Sequence, residues 1–254
     1  MKKHELATIV AHTHDSGIYT MSLHAPGIAA NAVPGQFVMV YLDKGEHLLP
    51  RPISINNADK AAGVIRLVYV AVGAGTRIMS EWPAGHTLRV TGPLGNGFDL
   101  ENFRAGEKVA LVGGGFGAAP LYFLALELSK RGVNMDVFLG FRKDTPALTK
   151  SFEALADSIT IATEDGSSGL KGYVTDFLPE TPDYSSILSC GPAPMLKALS
   201  QYAKTAAIPC QVSVEERMAC GIGACKGCVV RTMAGYQLCC QVGPVFDSQE
   251  VDFG

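Results

Sequence analysis

Lys108-Val109-Ala110-Leu111-Val112-Gly113-Gly114-Gly115-Phe116-Gly117-Ala118-Ala119-Pro120 is the stretch on which the fold turns. A short unbroken apolar run reads as a strand buried on both faces, as in a parallel sheet. Small residues follow at once, in the pattern G-x-G-x-x-P over Gly115 to Pro120. They allow a diphosphate to approach a helix N-terminus, and proline is accepted in a helix's first turn. The alternative for such a motif is a tight strand-to-helix turn with no ligand.

Downstream, helix-period residues run from Leu121 to Arg131 and stop at Gly132. A second strand is predicted at Met135–Gly140, with further strands at Ser158–Ala162 and Ser186–Cys190. Strand, glycine turn, helix, strand is the start of a doubly wound α/β domain. Upstream, Glu5 to Val90 reads differently. Runs such as Phe37–Tyr41 and Val64–Val70 alternate with Gly, Pro, Asn and Asp. This rhythm predicts an antiparallel barrel or sandwich, closed by Gly92-Pro93-Leu94-Gly95-Asn96-Gly97-Phe98. The expected division is a β-barrel domain over 1–102, an α/β domain over 103–210 and a small cysteine-rich domain over 211–254. Repeats and low-complexity tracts are absent from the sequence.

The chain has 254 residues, 47% hydrophobic and 18% charged, with a formal net charge of -3. That charge gives no basic field for nucleic acid. No window approaches the roughly 18–20 apolar residues of a membrane span. Strand-like alternation starts at the N-terminus without an apolar signal core, so the expected location is cytoplasmic. In a reducing compartment the seven cysteines, five of them between Cys220 and Cys240, point to a metal rather than to disulfides.

Cys220, Cys225 and Cys228 have the spacing C-x4-C-x2-C, which is the plant-type [2Fe–2S] spacing. Three thiolates must converge from one tight loop, and Gly221, Gly223 and Gly227 permit the turns this needs. Amides brought close to sulfur can tune a cluster's potential. The fourth ligand must come from Cys239 or Cys240, and spacing alone does not choose between them. A zinc knuckle shares the C-x2-C element, and buried free thiols are the bland alternative. Cys190 and Cys210 stand outside the group.

Arg51-Pro52-Ile53-Ser54 joins a cation to a hydroxyl at a strand start. Arg51 suits a phosphate, and Ser54 with neighbouring backbone suits a flat heterocycle. Gly75-Thr76 opens a helix-like segment whose free N–H groups suit a pyrophosphate. Taken singly, an Arg-Pro turn or a capped helix start has no need of a ligand. Trp82, Met218 and the six histidines show no spacing that demands a role; His12 and His14 read as strand surface.

Together, Arg51–Ser54, Gly75-Thr76, Gly92–Phe98, Gly113–Pro120, Cys190-Gly191-Pro192 and Glu216–Cys225 resemble the ferredoxin-reductase-like flavoproteins, over essentially the whole chain. The resemblance is closest to the family of electron transfer subunits of type B dihydroorotate dehydrogenase. It implies an FAD-binding β-barrel, a nicotinamide-binding α/β domain and a [2Fe–2S] domain. It makes Arg51, Pro52, Ile53, Ser54, Val68, Tyr69, Val70, Gly75 and Thr76 the candidate FAD contacts. Gly115, Gly117, Cys190 and Gly191 become the candidate nicotinamide contacts, with NAD favoured over NADP by resemblance alone. Arg142 and Lys143, after the second strand, could meet a 2′-phosphate. The family's fourth cysteine stands just ahead of Gly-Pro-Val-Phe with two residues between, here Gly243–Phe246, which selects Cys240; Val242 departs from an expected acidic residue.

The sequence shows no acid–base constellation for an organic substrate. The implied partner is an FMN-containing dihydroorotate dehydrogenase catalytic subunit, assembled with this chain as a heterotetramer in pyrimidine (UMP) biosynthesis. Electrons would pass through [2Fe–2S] and FAD to NAD+. Two other readings remain: a diaphorase-like subunit of another complex, such as a ferredoxin:NADP oxidoreductase, and a zinc-stabilised binding module.

Overall fold

The structure, a computed structural model, describes residues 2–42 and 48–254. Six antiparallel strands form the first unit: β1 (Lys3–Asp15), β2 (Ile18–His24), β3 (Phe37–Val40), β4 (Arg51–Asp59), β5 (Val64–Val70) and β6 (Thr87–Leu94). They close into a barrel in the order β1-β2-β5-β4-β3-β6, so the expected barrel or sandwich is a barrel. Closure removes the exposed edges an open sheet would present. Along β5 the even-spaced residues Ile65, Leu67 and Tyr69 are buried and pack in the barrel core with Met21, Val38 and Leu88. Val68 and Val70, on the other face, pack against the α/β unit.

The ladder between β4 and β5 slips by one residue. Ile55 pairs with Leu67 and Asn57 with Arg66, leaving Asn56 without a partner opposite. A β-bulge of this kind turns the extra side chain out of the regular alternation.

The second unit is a seven-stranded sheet. Its members are β7 (Lys108–Gly114), β8 (Asn134–Phe141), β9 (Ser158–Thr163), β10 (Leu170–Lys171), β11 (Ser186–Cys190) and β12 (Cys210–Ser213). After the hairpin of β13 (Val229–Thr232) and β14 (Gly235–Leu238), β15 (Val245–Asp247) returns to the sheet. The order is β10-β9-β8-β7-β11-β12-β15. The pairings are parallel except for β12 with β15. Strand order reverses between β7 and β11, which in a doubly wound sheet places a ligand crevice at their carboxyl ends.

The helix expected from Leu121 spans Ala118–Lys130, because Pro120 fits its first turn instead of preceding it. It covers one face of the sheet, through Leu121, Leu124 and Leu128 against Val109 and Leu111. On the other face Ala110 and Val112 meet Leu196 and Leu199 of the Ala193–Ala206 helix. That second core continues without a break into Cys228, Val230, Cys239 and Cys240, and into Phe37, Met39 and Leu94 of the barrel. Among the described residues, no helix is long and apolar enough to cross a membrane.

Candidate functional site

A cavity of about 330 Å³ lies where the three parts of the chain meet. The barrel contributes Pro52, Ile53 and Ser54 from β4, Val68–Val70 from β5, and Thr76; the α/β unit contributes Phe116, Ala119, Pro120 and Cys190. Ser213 to Glu216, Met218 and Pro244 complete the wall. Its size suits a flat heterocycle held among apolar groups with a few polar ones.

Arg51 stands just beyond this wall, against Gly75. A Cβ on Gly75 would lie 2.2 Å from Arg51 Nε, so glycine is what lets the guanidinium approach the helix start. Arg51 Nη1 donates to Leu49 O at 2.7 Å, which leaves other N–H groups of its fork for an anion. Thr76 Oγ1 closes the Ala74–Ser80 helix's first turn, accepting from Gly73 N–H at 3.1 Å. Tyr69 belongs to the cavity wall, yet its ring packs in the barrel core and its hydroxyl bonds His12 Nε2 at 3.0 Å. His12 Nδ1 bonds Trp82 O at 2.8 Å. His12, read from sequence as strand surface, is thus a part-buried brace at the barrel's end.

The candidate nicotinamide residues converge at the strand-order reversal. Gly113 pairs with Cys190, and Gly115 has φ +54°. A Cβ on Gly117 would lie 2.1 Å from Cys190 O. Met195 sits against both Gly114 and Gly191, where added Cβ atoms would meet its Sδ at 2.6 Å and its Cε at 2.5 Å. Burial, then Glu215, push the Cys190 thiol up to about 12, against a hydrogen bond with Ser213. Cys190 is therefore a neutral thiol at pH 7. Glu215, absent from the sequence reading, keeps exposed surface, but burial against the cavity raises its carboxyl. Its signal was positional: it follows the carboxyl end of a strand beside the reversal point.

The cysteine loop folds as a cradle. Cys220 Sγ accepts N–H bonds from Ile222 and Cys225, each at 3.4 Å. Burial pushes this thiol up, but the amides of Cys225 and Ile222, with the Cys225 side chain, outweigh it and hold it at about 6. Gly221 and Gly223 take φ +68° and +85°. An added Cβ would strike Met39 of the barrel in the first case and Gln241 in the second. Cys240 N–H donates to Cys228 Sγ at 3.4 Å.

The pair left open by spacing lies on a short helical turn, Cys239–Val242. Successive helical side chains diverge by about 100°, so the two thiols still face different ways. Cys239 Sγ is directed at Val214 O, 3.9 Å away, and feels Cys228 only at a distance, whereas the Cys240 thiol hydrogen-bonds that of Cys228. Among the described residues no three His, Cys, Asp or Glu side chains converge on a single ion. The thiols stand instead as two pairs, Cys220 with Cys225 and Cys228 with Cys240. Two pairs of thiols with amides aimed at sulfur fit a two-iron cluster better than the tetrahedral point of zinc.

Two family models match the chain. Residues 215–252 match the iron-sulfur cluster binding domain of dihydroorotate dehydrogenase B. Residues 3–98 match the oxidoreductase FAD-binding domain. The chain is 41% identical over 258 residues to the dihydroorotate dehydrogenase B (NAD(+)) electron transfer subunit of Geobacillus sp. (strain WCH70), covering 99% of each chain. It is 40% identical over 260 residues to the subunit of the same name from Shouchella clausii (strain KSM-K16), covering 98% of each. Among solved structures it is similar to an NADH-dependent reduced ferredoxin-NADP oxidoreductase, studied for flavin-based electron bifurcation. That likeness has a TM-score of 0.86 and 31% identity, over 98% of this chain and 90% of the other.

Proposed function

The chain belongs to the family of dihydroorotate dehydrogenase B electron transfer subunits, and from that premise we propose that it links an FMN-containing dihydroorotate dehydrogenase catalytic subunit to NAD+ in pyrimidine biosynthesis. The observation that carries the reading is the shared cavity, whose wall joins barrel, nicotinamide-side turn and the approach to the cysteine loop. When bound, FAD supplies the exchange between two-electron hydride chemistry and one-electron transfer, and the cluster carries single electrons.

The chain's own residues divide the work. Arg51, beside Gly75-Thr76, binds the FAD diphosphate; Pro52, Ile53, Ser54 and Val68–Val70 orient the ring against the barrel. Gly115 and Gly117 admit the nicotinamide dinucleotide's diphosphate at the start of the Ala118–Lys130 helix, while Cys190 and Gly191 border the nicotinamide. The buried, neutral Cys190 thiol excludes water there without adding charge. Cys220, Cys225, Cys228 and Cys240 hold the cluster. Cys225 is solvent-exposed and Cys228 and Cys240 are buried, so the Cys225 side faces the catalytic subunit, with which the chain forms a heterotetramer in the cytoplasm. The three functional parts are 1–102, 103–210 and 211–254.

The test is a visible spectrum of anaerobically purified protein before and after NADH. Flavin and iron–sulfur bands are expected, both bleaching with NADH; bands that persist reject the relay. Addition of an FMN-type catalytic subunit with dihydroorotate should bleach them from the other side. The 31%-identical ferredoxin-NADP oxidoreductase structure supports a second reading, the same parts serving another complex. Co-purification with a protein other than an FMN dehydrogenase favours it. A colourless zinc protein would establish the binding module.

A further inference from the structure

The side chain of Asn56, at the bulge, makes its hydrogen bonds outside the barrel core. Asn56 is 6% exposed. Its Nδ2 donates to Ala119 O at 2.6 Å, across 63 residues of sequence. Its Oδ1 accepts from Arg66 Nε at 2.6 Å. The Arg66 guanidinium then lies over the Tyr122 ring, 4.8 Å from the centroid. One amide, on the residue that the ladder leaves unpaired, is therefore braced by the barrel on one side and bonded to the α/β unit on the other.

What it grips is the first turn of the Ala118–Lys130 helix. Ala119 and Pro120 belong to the cavity wall, directly after the glycine turn. Phe123, farther along the same helix, is 1% exposed and packs in the barrel core. An apolar plug fixes that the helix docks, but burial is non-directional and does not fix where the helix begins. A buried hydrogen bond with two oriented partners does.

We propose that Asn56 is a positioning residue: its bulge-borne amide, braced by Arg66, fixes the start of the nicotinamide-side helix relative to the flavin cavity. Reactivity between two bound rings depends steeply on their approach, so the latch acts on the hydride step and not on the affinity of either cofactor. The inference rests on the NADH-linked reading above only for that last consequence; the latch itself is a matter of the helix start.

Asn56→Asp isolates the bond. The carboxylate still accepts from Arg66 but has no N–H for Ala119 O. In the full-length holoprotein, stopped-flow reduction of FAD by NADH should show a limiting rate lowered by about tenfold, with the half-saturating NADH concentration moved by less than about twofold. FAD and cluster absorbance should keep wild-type stoichiometry, and the charge-transfer band between reduced flavin and NAD+ should weaken. Hydrogen exchange over residues 117–123 should accelerate, with the barrel strands unchanged. Asn56→Ala, which removes both bonds, should show the same pattern at least as strongly. A limiting rate within about twofold of wild type overturns the proposal, and so does unchanged exchange at the helix start. Faster exchange in a protein whose wild-type flavin NADH never reduces would uphold the latch and reject the electron-transfer reading instead.

Discussion

Gly117→Ala pits two opposing effects against each other at one atom. Gly117 has φ −60° and ψ −18°, a helical backbone that alanine adopts freely. On that ground alone the substitution would stabilise by about 0.4–1 kcal/mol, through the unfolded chain. In the folded protein the new Cβ would lie 2.1 Å from Cys190 O, 2.4 Å from its carbonyl carbon and 2.7 Å from Gly191 N. All three are backbone atoms at the end of β11, so no rotamer relieves them. Reaching an ordinary contact of 3.4 Å requires the turn and the strand end to part by roughly 1.3 Å. Overpacking of this kind costs about 1–3 kcal/mol, more than the gain, and the expected net change is about 1 kcal/mol of destabilisation.

The functional loss should be much larger. The two segments forced apart carry Phe116 and Cys190 of the cavity wall, the proposed nicotinamide side, and a misplacement of about 1 Å lowers a rate by about 100-fold. NADH should reduce the variant's FAD about 100-fold more slowly in stopped flow, while dithionite reduces flavin and cluster as in the wild type. FAD content should not change. A variant reduced by NADH at the wild-type rate would refute the reasoning, because the close approach of Gly117 to Cys190 would then carry no catalytic geometry.

Cys240→Ser should lose the iron–sulfur bands while keeping FAD, and Cys239→Ser should keep both; the reversed pattern in absorbance and iron content would reassign the fourth ligand. Arg51→Gln should weaken FAD binding by about 10- to 100-fold, the loss expected of a charge-assisted contact, read by flavin fluorescence on dilution; unchanged affinity would remove Arg51 from the diphosphate site. Glu215 has its carboxyl raised by burial. Between its unfolded value of about 4.3 and the higher folded one, the native state holds more protons, so this group's contribution to stability falls as pH rises through that window. Glu215→Gln should flatten that fall in urea midpoints measured across pH, and a slope that survives in the variant counts against Glu215 as its source.

Local chemistry made the candidate cysteine loop and the glycine turn legible. Cys220, Cys225 and Cys228 lie within nine residues of one another, and their spacing is itself the geometry of a loop around a cluster. The glycine turn after β7 was readable for the same reason, since the strand, turn and helix start are contiguous. Spacing left Cys239 and Cys240 open, and the contrast between them is tertiary: Cys239 Sγ meets Val214 O, while Cys240 supplies both an N–H and a thiol to Cys228. Asn56 was illegible because a bulge is a property of two paired strands, and its partner Ala119 is 63 residues away. Glu215 needed the order of the sheet, which periodicity does not report. His12 looked like surface because its two partners, Tyr69 and Trp82, come from distant segments.

The antiparallel pairing of β15 on β12 brings Ser213 and Val245 directly opposite each other. Everything between them, including all four candidate cluster ligands, leaves the sheet and returns at neighbouring points, so in topological terms the redox module is an insert in a hairpin. Inserts with adjoining ends are those that chains accept and shed most readily. A short turn joining β12 to β15 would keep the sheet's edge and its hydrogen bonds. That excision would uncover Phe37, Met39 and Leu94 of the barrel, which share a core with the module, and would remove Val214 to Glu216, Met218 and Pro244 from the cavity wall. An engineer exchanging one-electron carriers on this fold therefore has two cut sites, one hydrogen-bonded pair apart, with part of the cavity wall to rebuild and three barrel side chains to redesign.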